Sequence, residues 1–314
     1  MTEAAPSRRS RAITSEQERH GLRDTSKMVL HLPRHDFPTA RAAEAADFLA
    51  ASAGRSIDRI GNSPESFNRA FESALNAANA RCVLDPMADK FDTWASWVTA
   101  MQVGSALFAA AVAPEGESIE CRIGREPREI TATGVQPHAH AGNWIKAFCL
   151  AVICREEERM TQLCRVPVSL LRASGAVFDE YIYAWVDALQ TYWLRGEGLG
   201  GKLVAAVRGT DPATIEVADR DLMLNILYPP IEMFHLFVRE ERERFNVSLE
   251  NAVRCHKEFW TEDEDRAIST DSLVALGPLA VACLAHDAGF PIEVESEYLP
   301  RFLLDRGWVG EFDT

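Results

Sequence analysis

Apolar residues recur at intervals of three and four along most of the chain, the spacing that lays one face of an α-helix against a core. In DKFDTWASWVTAMQVGSALFAAAV, Phe91, Trp94, Val98, Met101, Ser105, Phe108 and Val112 fall on one side of such a helix. Phe178, Ile182, Trp185, Leu189 and Trp193 do the same within AVFDEYIYAWVDALQTYWL, and Trp144, Phe148 and Val152 form a stripe in AGNWIKAFCLAVICREEERM. Ser63-Pro64 and Asp211-Pro212 each pair a capping side chain with a proline suited to the first helical position. Pro229-Pro230 is expected to end one helix and begin IEMFHLFVREERERF, with a further helix over VSLENAVRCHKEFW. The helices pair through short polar turns: 139–155 with 156–172, 176–195 with 199–208, and 231–244 with 246–260.

One stretch departs from this period. ESIECRIGREPREITATG alternates Ile119, Cys121 and Ile123 with polar residues, turns near Glu126-Pro127 and resumes at Ile130, which predicts a small β-hairpin near 117–133. A single hairpin supplies no repeated βαβ unit, so the fold class is all-α. Helical hairpins in this order fit a layered bundle or an irregular α-solenoid, without a fixed repeat period.

Composition adds limits. The 314 residues are 47% hydrophobic and 25% charged, enough for a core without staples. No unbroken apolar run reaches the roughly 18 residues of a membrane helix. Seven cysteines are scattered without a CxxC pair, and Cys149 and Cys283 lie among apolar neighbours, which suits a reducing cytosol better than a disulfide scaffold. Residues 1–36 carry 7 basic and 5 acidic side chains and lack the apolar segment of a secretory signal, so they read as a disordered extension before a single domain over 37–314. The remainder carries 26 basic against 42 acidic residues, a net of −16, which disfavours direct binding of nucleic acid or an anionic membrane and suits a basic protein partner.

Candidate chemistry is sparse. His138 and His140, two apart in QPHAHAG, share a metal only if a third ligand arrives from elsewhere, and the plain reading is a loop and helix start. GEGLGGK (196–202) lacks the spacing and the hydroxyl of a phosphate loop and fits a helix C-cap and turn. No nucleophile elbow is present. REEER (155–159) and REERER (239–244) have the mixed signs of solvated helix faces.

The acidic stretches are more telling. In TEDEDR, Glu262, Asp263, Glu264 and Asp265 run together, either capping a helix or forming one edge of an acidic patch. DSLVALGPLAVACLAH reads as an apolar helix kinked or broken at Gly277-Pro278, ending near a packed or capping His286 and Asp287. After Gly289 the chain reads as extended, with Ile292, Val294 and Ser296 facing one way and Glu293, Glu295 and Glu297 the other, about 7 Å apart. Such a row is too spread for one metal but suits Lys or Arg, with Tyr298 beside it as an aromatic anchor. A solvated strand face is the alternative.

ARCVLDP, FDTWASWVTAMQVGSALFAAAVAPEG, CRIG, AGNWIKAF, CRVPVSLLRASG, DEYIYAWVDALQTYW, ILYPPIEMFH and ALGPLAVACLAHDAGFPIEVESEYLP together resemble the immunity protein 49 family of bacterial polymorphic toxin systems. The resemblance runs in order from about Phe37 to about Leu304. It implies a mostly α-helical cytoplasmic protein that binds and blocks a cognate toxin domain, without catalytic residues or a cofactor. Charge alone nominates the contact residues Asp287, Glu293, Glu295, Glu297, Tyr298 and Glu262 to Asp265. A helical scaffold for another host protein shares these features, and a metal-dependent hydrolase using His138 and His140 is a third reading.

Overall fold

A computed structural model of the chain describes residues 29–40, 42–63, 66–311 and 314. Helix α1 (Ala42–Ile57) pairs with α2 (Ser66–Leu84), which packs onto α3 (Phe91–Val112), and α3 lies against α4 (Ala141–Cys154). Pro64 is outside the described residues, so its expected role before α2 is not described. Asp85 organises the entry to α3, because its two carboxylate oxygens accept from the backbone N–H groups of Asp89 (3.1 Å) and Lys90 (2.9 Å).

The expected stripe of α3 is buried at Trp94, Val98, Met101, Ser105 and Phe108, but so are Trp97, Val103, Ala106 and Leu107 on its other sides. It is a central helix, and only its last residue, Val112, is exposed among the apolar positions expected inside. By length and composition alone α3 is long and apolar enough to cross a membrane, yet 72% of its most apolar window is buried within the fold, as in a core helix. The expectation of no such segment is corrected, since it counted only unbroken apolar runs. Small residues allow the close approach: a Cβ on Gly104 would stand 2.7 Å from Phe71 Cε2 and 3.0 Å from Ala147 Cβ.

The hairpin forms as expected, from β2 (Ser118–Ile123) and β3 (Glu126–Thr131), with Ile119 opposite Ile130. Gln102 of α3 fixes its turn by accepting from Gly124 N at 2.7 Å. Beyond α4 come α5 (Glu157–Cys164), α6 (Val168–Ala173), α7 (Glu180–Trp193) and α8 (Leu199–Arg208). The single helix expected over 156–172 is two, because Pro167 cannot continue the hydrogen-bond ladder. α7 ends on Arg195 in the left-handed region (φ 55°), so the expected glycine C-cap is an arginine. Lys202 then turns back on α7, reaching Asp187 Oδ1 (2.9 Å) and Thr191 Oγ1 (2.7 Å).

Asp211-Pro212 starts no helix. Asp211 Oδ1 accepts from Ala213 N at 2.9 Å, a local turn that competes with helix, and the chain stays irregular until Asp219 caps α9 (Arg220–Leu222). From α9 a π-helical turn, Met223–Leu227, runs without a break into α10 (Tyr228–Val238). The expected helix end at Pro229-Pro230 is therefore a change of pitch. A wide turn accommodates prolines that lack N–H groups and clash with the carbonyl one turn back.

α11 (Arg242–Trp260), α12 (Glu264–Ala267) and α13 (Leu276–Asp287) follow. Gly277-Pro278 lies in the first turn of α13 and does not kink it, for there the missing N–H is no loss. A two-residue strand β1 (Leu30–His31) pairs in parallel with β4 (Val294–Glu295), and α14 (Arg301–Leu304) closes the chain. Residues 29–36, placed by sequence in the extension, thus belong to the fold: Leu30 N donates to Glu293 O (3.0 Å), and the Arg34 guanidinium to Cys82 O (3.1 Å). Two strand residues carry no readable alternation. Residues 1–28 lie outside the description.

The core is continuous from Ala53 to Leu304. α4 packs on α13 and α14, and α10 on both α8 and α13, so elements distant in sequence meet across the interior. That is a layered all-α bundle. A solenoid would confine contacts to neighbours.

Candidate functional site

The structure sorts the nominated acidic residues into two places. Asp287 ends α13 and is held by Arg155, the left-handed C-cap of α4 (φ 58°), through Nε at 3.1 Å and Nη2 at 3.3 Å. The Arg155 guanidinium also donates to the carbonyls of Leu303 (2.6 Å) and Leu304 (2.7 Å). His286 lies between Asp287 (3.3 Å) and Asp305 (3.7 Å), as a half-buried member of this charge cluster. Arg301 pairs with Asp305 and approaches Glu295 at 3.9 Å, and Arg306 stands 3.8 Å from Asp287. Negative charge there is largely matched by arginine.

The row of glutamates is likewise tied down. Glu297 Oε2 accepts from Arg34 N at 3.0 Å, and Glu293 is half-buried with its backbone N–H on Asn246 Oδ1 at 2.8 Å. Tyr298 is fully buried (0% exposed), so it does not serve as a surface anchor. Its hydroxyl accepts from His35 N at 3.1 Å and bonds His35 Nδ1 at 2.8 Å, and burial pushes its pKa up to about 12. The alternation that faces the glutamates outward puts Tyr298 on the side of Ile292 and Val294, so the sequence pattern itself points it inward.

The second place is α12 and its approach. Asp263 caps α12 by accepting from Arg266 N at 2.8 Å. The Arg266 guanidinium gathers Glu262, Asp263 (3.3 Å) and, from α9, Asp221 (2.9 Å), while Glu264 and Asp265 are exposed. Three carboxylates thus share one guanidinium. The capping reading of TEDEDR holds at Asp263, while Glu262, Glu264 and Asp265 are exposed. His35 links this surface to the C-terminal stretch, because its Nε2 bonds Ala267 O at 2.9 Å while its Nδ1 bonds Tyr298. Asp287 is at the other end of α13, about 17 Å away along a twelve-residue helix.

His138 and His140 are committed elsewhere. His140 caps α4, its Nδ1 accepting from Asn143 N at 3.2 Å, and its ring packs on Phe178. His138 packs on Phe67. Burial lowers both pKa values. Among the described residues, no three His, Cys, Asp or Glu side chains gather to hold a metal ion.

A further feature was not legible in any motif. A cavity of about 490 Å³ lies among α2, α4, α7, α11 and α13, and its walls come from residues between Leu75 and Leu284. The irregular strap before α9 borders it through Val217, Ala218 and Asp219. Asp179, ahead of α7, clasps that strap: its carboxylate accepts from the backbone N–H groups of Glu216 (2.7 Å), Val217 (3.1 Å) and Ala218 (2.8 Å). Burial alone would raise the Asp179 pKa, but these three donors outweigh it and hold the group ionised.

The described residues thus form an all-α bundle with an apolar-walled cavity, in which His140 caps a helix and His138 packs on Phe67. Residues 85–303, most of the chain, match the immunity protein 49 family, and the chain belongs to that family. The match begins later than Phe37, where the resemblance of individual blocks starts. No curated protein and no solved structure matches the chain.

Proposed function

We propose that the chain is a cytoplasmic immunity protein that neutralises a cognate toxin domain of a polymorphic toxin system by stoichiometric binding, without catalysis. Membership of the immunity protein 49 family is the observation that carries this reading. The acidic surface supports a basic partner. A net of −16 outside the first 36 residues speeds encounter with a positive face through long-range attraction, and local charge then fixes orientation.

Within that surface, Glu262, Glu264, Asp265 and Asp221 are the favoured contacts, since one guanidinium leaves most of their charge uncompensated. Asp287, Glu295 and Glu297 are secondary, because arginines or backbone N–H groups already engage them. The test is co-expression with the toxin domain encoded beside the gene, scored for cell survival and co-purification. Survival together with a one-to-one complex is the expected result. Protection without a complex would overturn stoichiometric binding.

A further inference from the structure

The wall of the apolar cavity runs into the exposed acidic run 262–265. Leu222 is in that wall, and its chain neighbour Asp221 binds Arg266 at 2.9 Å. Trp260, also in the wall, ends α11 two residues before Glu262, which the same guanidinium engages. Asp219, the cap of α9, and Asp271 line the cavity themselves.

The cavity is also open. Val177 and Val217, both in the lining, are 73% and 50% exposed, so its mouth lies between the approach to α7 and the strap before α9. Beyond them the walls are apolar, with Phe178, Ile182, Trp185 and Val281 among them. Its volume, about 490 Å³, is that of a small-molecule site, roughly 300–1,000 Å³, so a whole aromatic side chain fits. Exposed apolar residues around such a depression, rimmed by polar ones, mark a place of association, because closing it removes that surface from water.

Charge narrows the occupant. Along the strap and α9, Glu216, Asp219 and Asp221 stand against Arg220, and Arg266 is shared among Asp221, Glu262 and Asp263. The lining has one ammonium group, Lys146, against Asp179, Asp219 and Asp271. A free apolar solute would use the walls alone. A basic protein segment bearing one bulky apolar side chain uses walls and edge together.

We propose that the cavity is the anchor point of the toxin interface: it receives a bulky apolar side chain from a basic segment of the toxin domain, whose neighbouring lysines or arginines pair with Asp219, Asp221 and Glu262. The inference rests on the immunity reading and adds where the partner enters. A buried anchor of this kind governs how long the complex lasts, whereas the carboxylates govern how fast it forms.

Binding kinetics of the full chain with the toxin domain encoded beside the gene test this. Ala218→Trp fills the mouth from the strap, and Val177→Ser combined with Val217→Ser strips its apolar rim, so neither variant touches a charge. Dissociation is expected to quicken at least tenfold in the first and at least fivefold in the second, with association within twofold of the parent. Dissociation at the parent's rate in the serine pair would overturn the anchor site and leave the immunity reading standing, whether or not Ala218→Trp folds. No complex with the parent chain would overturn both. Native mass spectrometry separates the other occupants. A small apolar molecule carried by the parent and kept in the complex would give the cavity to that molecule, and a parent dimer lost in the serine pair would give it to a second copy of the chain. Either result overturns the proposal.

Discussion

Arg155 and Asp287 form a two-pronged ion pair that locks the C-terminal end of α4 to the C-terminal end of α13, and the same guanidinium binds the carbonyls of α14. The arginine side chain is only 6% exposed. Arg155→Ala leaves those carbonyls and the carboxylate unpaired in a desolvated place, and is expected to cost about 3–5 kcal/mol in urea denaturation. Asp287→Asn keeps an acceptor and should cost about 1–2 kcal/mol. A loss below about 0.5 kcal/mol for Arg155→Ala would show the pair to be an ordinary surface bridge.

The strap before α9 depends on one carboxylate. Asp179→Ala strands the N–H groups of Glu216, Val217 and Ala218, and the expected loss is about 2–3 kcal/mol. The sharper readout is local. Amide exchange at 216–218 should accelerate, and limited proteolysis should cut within 211–219, while the amides of α3 keep their protection relative to global unfolding. Uniform loss of protection throughout the chain would show the strap and core to open together.

These two anchors show why the fold was more legible than its joints. The limits of α3 and α8 and the position of the hairpin follow from strong local periods or turn residues. The Asp179 clasp reaches residues more than thirty positions away, and β1 pairs with β4 across nearly the whole chain, so neither leaves a local pattern. The π turn before Pro229-Pro230 misleads because two prolines usually stop a helix, and here the turn ahead of them widens. Of the nominated site, the acidic run 262–265 stayed on the surface, whereas Tyr298 went inside to meet His35. The cavity was illegible, since its walls come from helices spread between Leu75 and Leu284.

Stability should fall through mildly acidic pH. Burial lowers the His256 pKa from 6.5 to about 4, so between those values the unfolded chain binds the extra proton. The contribution of neutral His256 is complete above about pH 6.5 and declines as pH drops towards 4, by about 3 kcal/mol in all. His138 and His140, also lowered by burial, act in the same direction. Asp179 acts in another window, since its lowered pKa means loss only as pH falls below the usual carboxylate value near 3.8. Urea midpoints at pH 7.5 and 4.5 measure the slope, and His256→Gln should flatten it. An unchanged slope in that variant would assign the acid sensitivity elsewhere.

The exposed acidic run 262–265 makes the prediction that bears most on function. Glu264 and Asp265 are exposed and Glu262 only shares Arg266, so reversing Glu264 and Asp265 to lysine touches neither the cap Asp263 nor the core. Stability should stay within about 0.5 kcal/mol of the parent. Against a basic toxin domain, the association rate should drop about tenfold at low salt, and the gap should close as ionic strength rises and the Debye length shrinks. Glu295→Lys, beside Arg301, is the comparison: its carboxylate already faces a guanidinium at 3.9 Å, so its effect on the rate should be smaller. Rates that fall equally for both sites would point to net charge as the cause. Rates unchanged by the Glu264 and Asp265 reversals, with the complex intact, would move the interface to another face of the bundle.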